Sequence, residues 1–180
     1  LRISALEIAA VISSLAYTIL ITYNSVWCWF FAFFSGLLFL ILCYQKRIYA
    51  EVALQGFYIF MAIYGFLNWG KGLSESPAPL SWTSHLMIIG GAGLIVFVSG
   101  ISLKNLSNSQ LPFLDSFTTV FSLAATALMV LLYRENWLYW IAIDTVSIAL
   151  YYRRGLKLSS ILFGLYTLLA INGYFQWSQL

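Results

Sequence analysis

Seven times along the chain an apolar run of 17–22 residues is followed by a short polar break. A helix crossing a bilayer needs about 20 such residues, whereas a spanning strand needs about 9–11 with alternating polarity. The runs fall at 5–22, 26–44, 48–69, 83–103, 112–133, 136–152 and 156–177. No alternation marks them as strands, so each is read as a membrane helix. Charge agrees. Only 8% of the residues are Asp, Glu, Lys or Arg, against about 25% in soluble domains, so a water-facing surface could not be covered. The expected fold class is an all-α integral membrane protein with seven transmembrane helices. The 180 residues leave no room for a separate soluble domain. The first run is followed by further spans, so it reads as a retained helix rather than a cleaved signal.

The breaks set the organisation. Most are a few residues long, such as Tyr23-Asn24-Ser25 and Arg134-Glu135, whereas 70–82 is longer and holds Pro77 and Pro79. It is the natural linker between two halves. Seven alternating spans put the termini on opposite sides. Arg2, Lys46, Arg47, Lys104, Arg153, Arg154 and Lys157 fall on the N-terminal side, and only Lys71 and Arg134 on the other. The positive-inside rule then predicts a cytoplasmic N-terminus and an external C-terminus. All seven tryptophans fall towards the outer ends of the runs, which predicts an interfacial aromatic belt there. The dispersed net charge of +3 gives no footing for nucleic acid.

A shift of 108 residues superposes the chain on itself. Trp29 lands on Trp137, Tyr44 on Tyr152, Gly56 on Gly164, Tyr58 on Tyr166, Gly65 on Gly173 and Trp69 on Trp177. Ten of 41 ungapped positions are identical between 29–69 and 137–177. Helices one to three therefore match helices five to seven, and helix four is left over. One extra span restores the orientation, so the expectation is two parallel three-helix repeats joined by a central helix, a 3+1+3 plan. Its divisions are 1–70, 71–110 (linker and helix four) and 111–180. Such repeat proteins hold substrate near mid-bilayer between the repeats. The matched glycines are expected to let helices approach closely.

Asp144 is the residue most in need of explanation. It lies halfway along the sixth run, where a carboxylate costs at least about 2.5–3.5 kcal/mol. Trp137, Trp140, Asp144, Ser147 and Tyr151 share one helical stripe. Indoles beside a carboxylate suit a flat cation, each ring contributing about 0.5–2 kcal/mol. The competing explanations are a structural carboxylate for Asp144 and an interfacial anchor for Trp137. Gln55 and Tyr58 on helix three, and Tyr166 and Asn172 on helix seven, are further polar candidates at mid-depth. The hydroxyls of helix five, Ser116, Thr118, Thr119, Ser122 and Thr126, are read as packing contacts. Asp115, in a first helical turn, suits the helix dipole.

Metal, cofactor and catalytic readings find little support. His85 is the one histidine and has no companion ligand in its run, so no metal site is expected. Cys28 and Cys43 fall on one helix about 22 Å apart, which excludes a disulfide between them. The sequence has no phosphate-binding loop, HExxH or GxSxG motif. It is read as a non-enzyme without cofactors.

Three features together carry a family resemblance: Glu135-Asn136-Trp137-Leu138-Tyr139-Trp140 followed by Asp144; 24–29; and Tyr64-Gly65 with Trp69, matched by Gly173 with Trp177. With the 3+1+3 plan they resemble the PnuC family of nicotinamide riboside transporters over nearly the whole chain. The resemblance implies uptake of nicotinamide riboside across the bacterial inner membrane by facilitated diffusion, with cytoplasmic phosphorylation trapping the product. It also implies the fold of full-length SWEET sugar transporters and a homotrimer. The family's W-x-x-W falls on Trp137 and Trp140. Relatives that carry thiamine are an alternative, since both vitamins are flat heteroaromatic cations. A non-transporting membrane subunit is the alternative from another class. The substrate-binding set expected is Trp137, Trp140, Asp144, Gln55, Tyr58, Tyr166 and Asn172.

Overall fold

The computed structural model describes residues 5–45, 49–69, 79–106, 110–153 and 157–179. Arg2, Lys46, Arg47, Lys71, Arg154 and the side chain of Lys157, on which the charge asymmetry rests, lie outside the described residues, as do 70–78 of the linker. Seven α-helices are described: α1 (Ala5–Thr22), α2 (Cys28–Gln45), α3 (Tyr49–Asn68), α4 (Trp82–Leu106), α5 (Pro112–Val130), α6 (Asn136–Arg153) and α7 (Lys157–Trp177). They follow the apolar runs closely. Helix α5 stops three residues before its run does, because the chain turns there.

Helices α1–α3 form one compact unit and α4–α7 another. In the first, α2 packs between α1 and α3. In the second, α6 packs on α5 and α7, and α4 packs on α5.

The chain exploits local chemistry at the helix ends. Pro112 opens α5, where its missing N–H costs nothing. The Ser81 hydroxyl accepts from the Ser84 N–H at 3.1 Å and caps α4. Helix α1 closes in a Schellman turn: the Ser25 N–H donates to the Leu20 carbonyl and the Asn24 N–H to that of Ile21, both at 3.0 Å. Asn24 takes the left-handed conformation this requires, with φ 55°. Helix α5 closes identically. The Tyr133 N–H donates to the Leu128 carbonyl, the Leu132 N–H to that of Met129, and Leu132 stands at φ 64°. The two turns are 108 residues apart.

Back-bonded threonines repeat in the same register. Thr18 Oγ1 donates to the Ser14 carbonyl and Thr126 Oγ1 to that of Ser122. The sequence match therefore extends upstream of Trp29: Ser14-Leu15-Ala16, Thr18 and Leu20 stand against Ser122-Leu123-Ala124, Thr126 and Leu128.

Exposure divides the tryptophans, and this corrects the expectation of one aromatic belt. Trp82 and Trp27 are open, as interfacial anchors should be, but Trp29, Trp137 and Trp177 are buried. The reason is a clamp that each unit builds. Trp29 lies across the bare face of Gly65 and meets Trp69 edge-on, ring centroids 5.3 Å apart. Trp137 does the same with Gly173 and Trp177, at 5.6 Å. The other matched pair, Gly56 and Gly164, has nothing within 4 Å of a Cβ position, so close helix approach does not explain those two glycines.

Candidate functional site

Helix α6 is two-sided. Leu138, Ala142, Thr145, Ala149 and Tyr152 are exposed, which makes one side of the helix an open face, mostly apolar or small. Trp137, Asp144 and Ser147 are buried on the other side, and Trp140 and Tyr151 are half-buried with them. The stripe expected from sequence is thus the inward face of the helix.

Asp144 is 4% exposed, and among the described residues no hydrogen-bond or ion-pair partner is assigned to its carboxylate. A buried polar group without a partner costs about 1–3 kcal/mol, and a charged one more. Four other atoms of this unit are wholly shut from solvent with no partner, which the Asp144 oxygens are not: Trp137 Nε1, Trp140 Nε1, Ser116 Oγ and Asn136 Oδ1. Such a concentration calls for a ligand or ordered water. Asn136 Nδ2 is satisfied, donating to the Tyr133 carbonyl at 2.7 Å, which leaves only its oxygen open.

The first unit serves as an internal control. At the matched positions it carries Ile8 for Ser116, Cys28 for Asn136, Ala32 for Trp140, Gly36 for Asp144 and Phe39 for Ser147. Every one of these polar or aromatic groups is replaced by an apolar or small residue. At Gly36 an added Cβ would fall 2.9 Å from Ile59 Cγ1, so α3 closes on α2 there. The clamp tryptophan, by contrast, is common to both units, and its Nε1 is unpartnered in both. Trp137 therefore has a packing role that accounts for its burial, whereas Trp140, Asp144, Ser147, Ser116 and Asn136 are specific to the second unit.

The two indoles of the W-x-x-W also differ in direction. Trp137 sits against α7, while Trp140 packs on an apolar cluster of Ala92, Phe121, Ala125, Leu128, Tyr139 and Ile143. Tyr166 and Asn172 are half-buried on α7, which packs against α6. The Tyr166 ring meets Phe163, which in turn meets Tyr151 of α6. Gln55 and Tyr58 are half-buried in the first unit. Sequence reasoning passed over Asn136 as a helix start and Ser116 as a packing hydroxyl. Comparing each position with its counterpart 108 residues earlier would have flagged both. Among the described residues no group of three or more His, Cys, Asp or Glu could hold a metal.

Comparisons with known proteins agree with this architecture. The family model described as "Nicotinamide mononucleotide transporter" matches residues 4–179. The chain is 28% identical over 178 residues to the nicotinamide riboside transporter PnuC of Escherichia coli K12, an alignment covering 83% of this chain and 74% of that protein. It is 26% identical over 165 residues to the PnuC of Neisseria mucosa, covering 83% of this chain and 63% of that one. A crystal structure of the vitamin B3 transporter PnuC superposes with TM-score 0.74 at 26% identity, over 97% of this chain and 80% of that chain.

Proposed function

Because the chain belongs to the nicotinamide mononucleotide transporter family, a family of multi-pass membrane proteins, we propose that it carries nicotinamide riboside across the bacterial inner membrane. The observation that carries this is the unpartnered Asp144 carboxylate on the buried face of α6, beside the half-buried Trp140. A pyridinium cation supplies the missing counter-charge and a flat face for the indole. The ribose hydroxyls supply partners for Ser116, Asn136 and Ser147. Tyr166 and Asn172 complete the set in this unit, Gln55 and Tyr58 are the polar candidates of the first unit, and Trp137 holds α6 in place.

The same chemistry favours the riboside over the mononucleotide. A phosphate would bring negative charge to a carboxylate, and among the described residues no Lys or Arg is buried in this unit to offset it. Transport is by facilitated diffusion, with phosphorylation in the cytoplasm trapping the substrate. The lack of a phosphate-binding loop supports an ATP-independent step. We infer two three-helix repeats, 1–70 and 111–180, joined by the linker and central helix α4 (71–110), with the N-terminus in the cytoplasm and the C-terminus outside, in a homotrimer. The repeated Schellman turns, threonine back-bonds and tryptophan clamps support the repeat.

Calorimetry on purified protein tests the substrate, with nicotinamide riboside, nicotinamide mononucleotide and thiamine as ligands. Binding of the riboside alone is expected. Tight thiamine binding would move the chain to the thiamine-carrying relatives. Asp144→Ala and Trp140→Ala are each expected to abolish uptake with the protein still folded, and unchanged uptake in both would reject the site.

A further inference from the structure

Among the described residues His85 has no companions to hold a metal, yet it makes a contact that crosses the second unit from α4 to α6. Its Nδ1 lies 2.9 Å from the Tyr139 hydroxyl. The two rings stack, centroids 5.8 Å apart and 14° from parallel. Tyr139 is 7% exposed, and its ring stacks in turn on Phe121, which meets Phe117. On the other side Trp82 meets His85. A column of five rings therefore ties α4 to α6 and α5, although the backbones of α4 and α6 do not approach each other.

The position of Tyr139 gives this tie its meaning. At about 100° per residue, Tyr139 and Trp137 point to nearly opposite sides of α6. Trp137 is held by Gly173 and Trp177 of α7. Tyr139 is held by His85 of α4 and Phe121 of α5. Trp140 and Asp144 lie in the arc between these two grips. The helix is thus fixed in rotation about its own axis, and the direction in which its site face points is fixed with it. The first unit has Phe31 at the position of Tyr139, with no hydroxyl to take such a partner.

We propose that His85 is a positioning residue for the α6 site, acting through the Tyr139 hydroxyl to set the rotation of α6 and so the placement of Trp140 and Asp144. The substrate arm of the test rests on nicotinamide riboside being the ligand, and a second arm does not.

In the first arm, riboside affinity is measured for His85→Phe, Tyr139→Phe, the double variant and His85→Gln. Each Phe substitution keeps the stack and removes the hydrogen bond, and is expected to weaken binding about fivefold. The double variant is expected to be no weaker than the worse single one, because one shared bond is lost. His85→Gln, which keeps a polar end, is expected to recover part of the affinity. In the second arm, Asp144→Cys is placed in a Cys28→Ala, Cys43→Ala background and labelled with a water-soluble maleimide. His85→Phe and Tyr139→Phe are each expected to change the labelling rate by about fivefold, again without adding.

An unchanged labelling rate, or effects that multiply in the double variant, overturns the proposal. A lower unfolding midpoint with affinity and labelling both unchanged overturns it too, since that is all a merely structural bond would produce. If the parent chain binds no riboside, the substrate assignment fails while the labelling arm still decides the role of His85.

Discussion

Replacing Gly173 by Ala tests the clamp most directly. A Cβ built there would lie 2.5, 2.6 and 2.7 Å from Trp137 Cε2, Cζ2 and Cδ2. Carbon atoms at rest sit about 3.5–4.0 Å apart, so the indole would have to retreat by about 1 Å. It has little room to do so, because Trp177 stands edge-on to the same ring. Overpacking of this kind costs about 1–3 kcal/mol. Alanine returns about 1 kcal/mol through its better helix propensity, which leaves a net loss of about 0–2 kcal/mol. Gly164→Ala is the matched control. Nothing lies within 4 Å of its Cβ position, so only the propensity gain remains. Reversible unfolding by SDS in mixed micelles would measure both. The propensity gain is common to both, so the two variants should differ by the overpacking cost of about 1–3 kcal/mol, Gly173→Ala the weaker. Equal stabilities would refute the clamp as an account of Trp137 burial. Gly65→Ala, with Trp29 carbons at 2.6–2.7 Å, should repeat the loss.

Other outcomes follow from single observations. Leu132→Gly should stabilise the chain by about 1 kcal/mol in the same titration, because a left-handed leucine at φ 64° is strained and glycine is not. Ser160→Ala should cost about 0.6 kcal/mol, since the Ser160 hydroxyl donates to the Ile148 carbonyl of the neighbouring helix at 3.1 Å. Trp82→Ala should leave unfolding within about 0.5 kcal/mol of the parent, its side chain being 85% exposed. Excess thiamine should fail to compete with labelled nicotinamide riboside in an uptake assay.

The spans were legible because bilayer thickness sets a length and hydrocarbon excludes charge, and both act on local sequence. The end of helix α1 at Thr22 was legible for that reason. The end of α5 was not: Leu131, Leu132 and Tyr133 are apolar, and nothing in their composition announces a left-handed turn at a leucine. The tryptophans show a second limit. Hydropathy places an indole near an interface, but whether it faces lipid or a neighbouring glycine depends on a residue 36 positions later in the chain. Asp144 was legible from cost alone, since a carboxylate there needs a reason. The His85–Tyr139 bond was not, because it joins residues 54 apart with no local signal in either run. For Ser116 and Asn136 the signal lies upstream of the 29–69 match, where they stand against Ile8 and Cys28.

The contrast between α2 and α6 bears on how the polypeptide is made. By length and composition α2, α4 and α5 can each cross a membrane alone, whereas α6, the bearer of Asp144, does not meet that standard. A translocon releasing segments one at a time would offer α6 to lipid with its carboxylate uncovered. Its stable insertion then depends on α5 already being in place and α7 arriving soon after, so α6 enters the bilayer in company with its neighbours rather than alone.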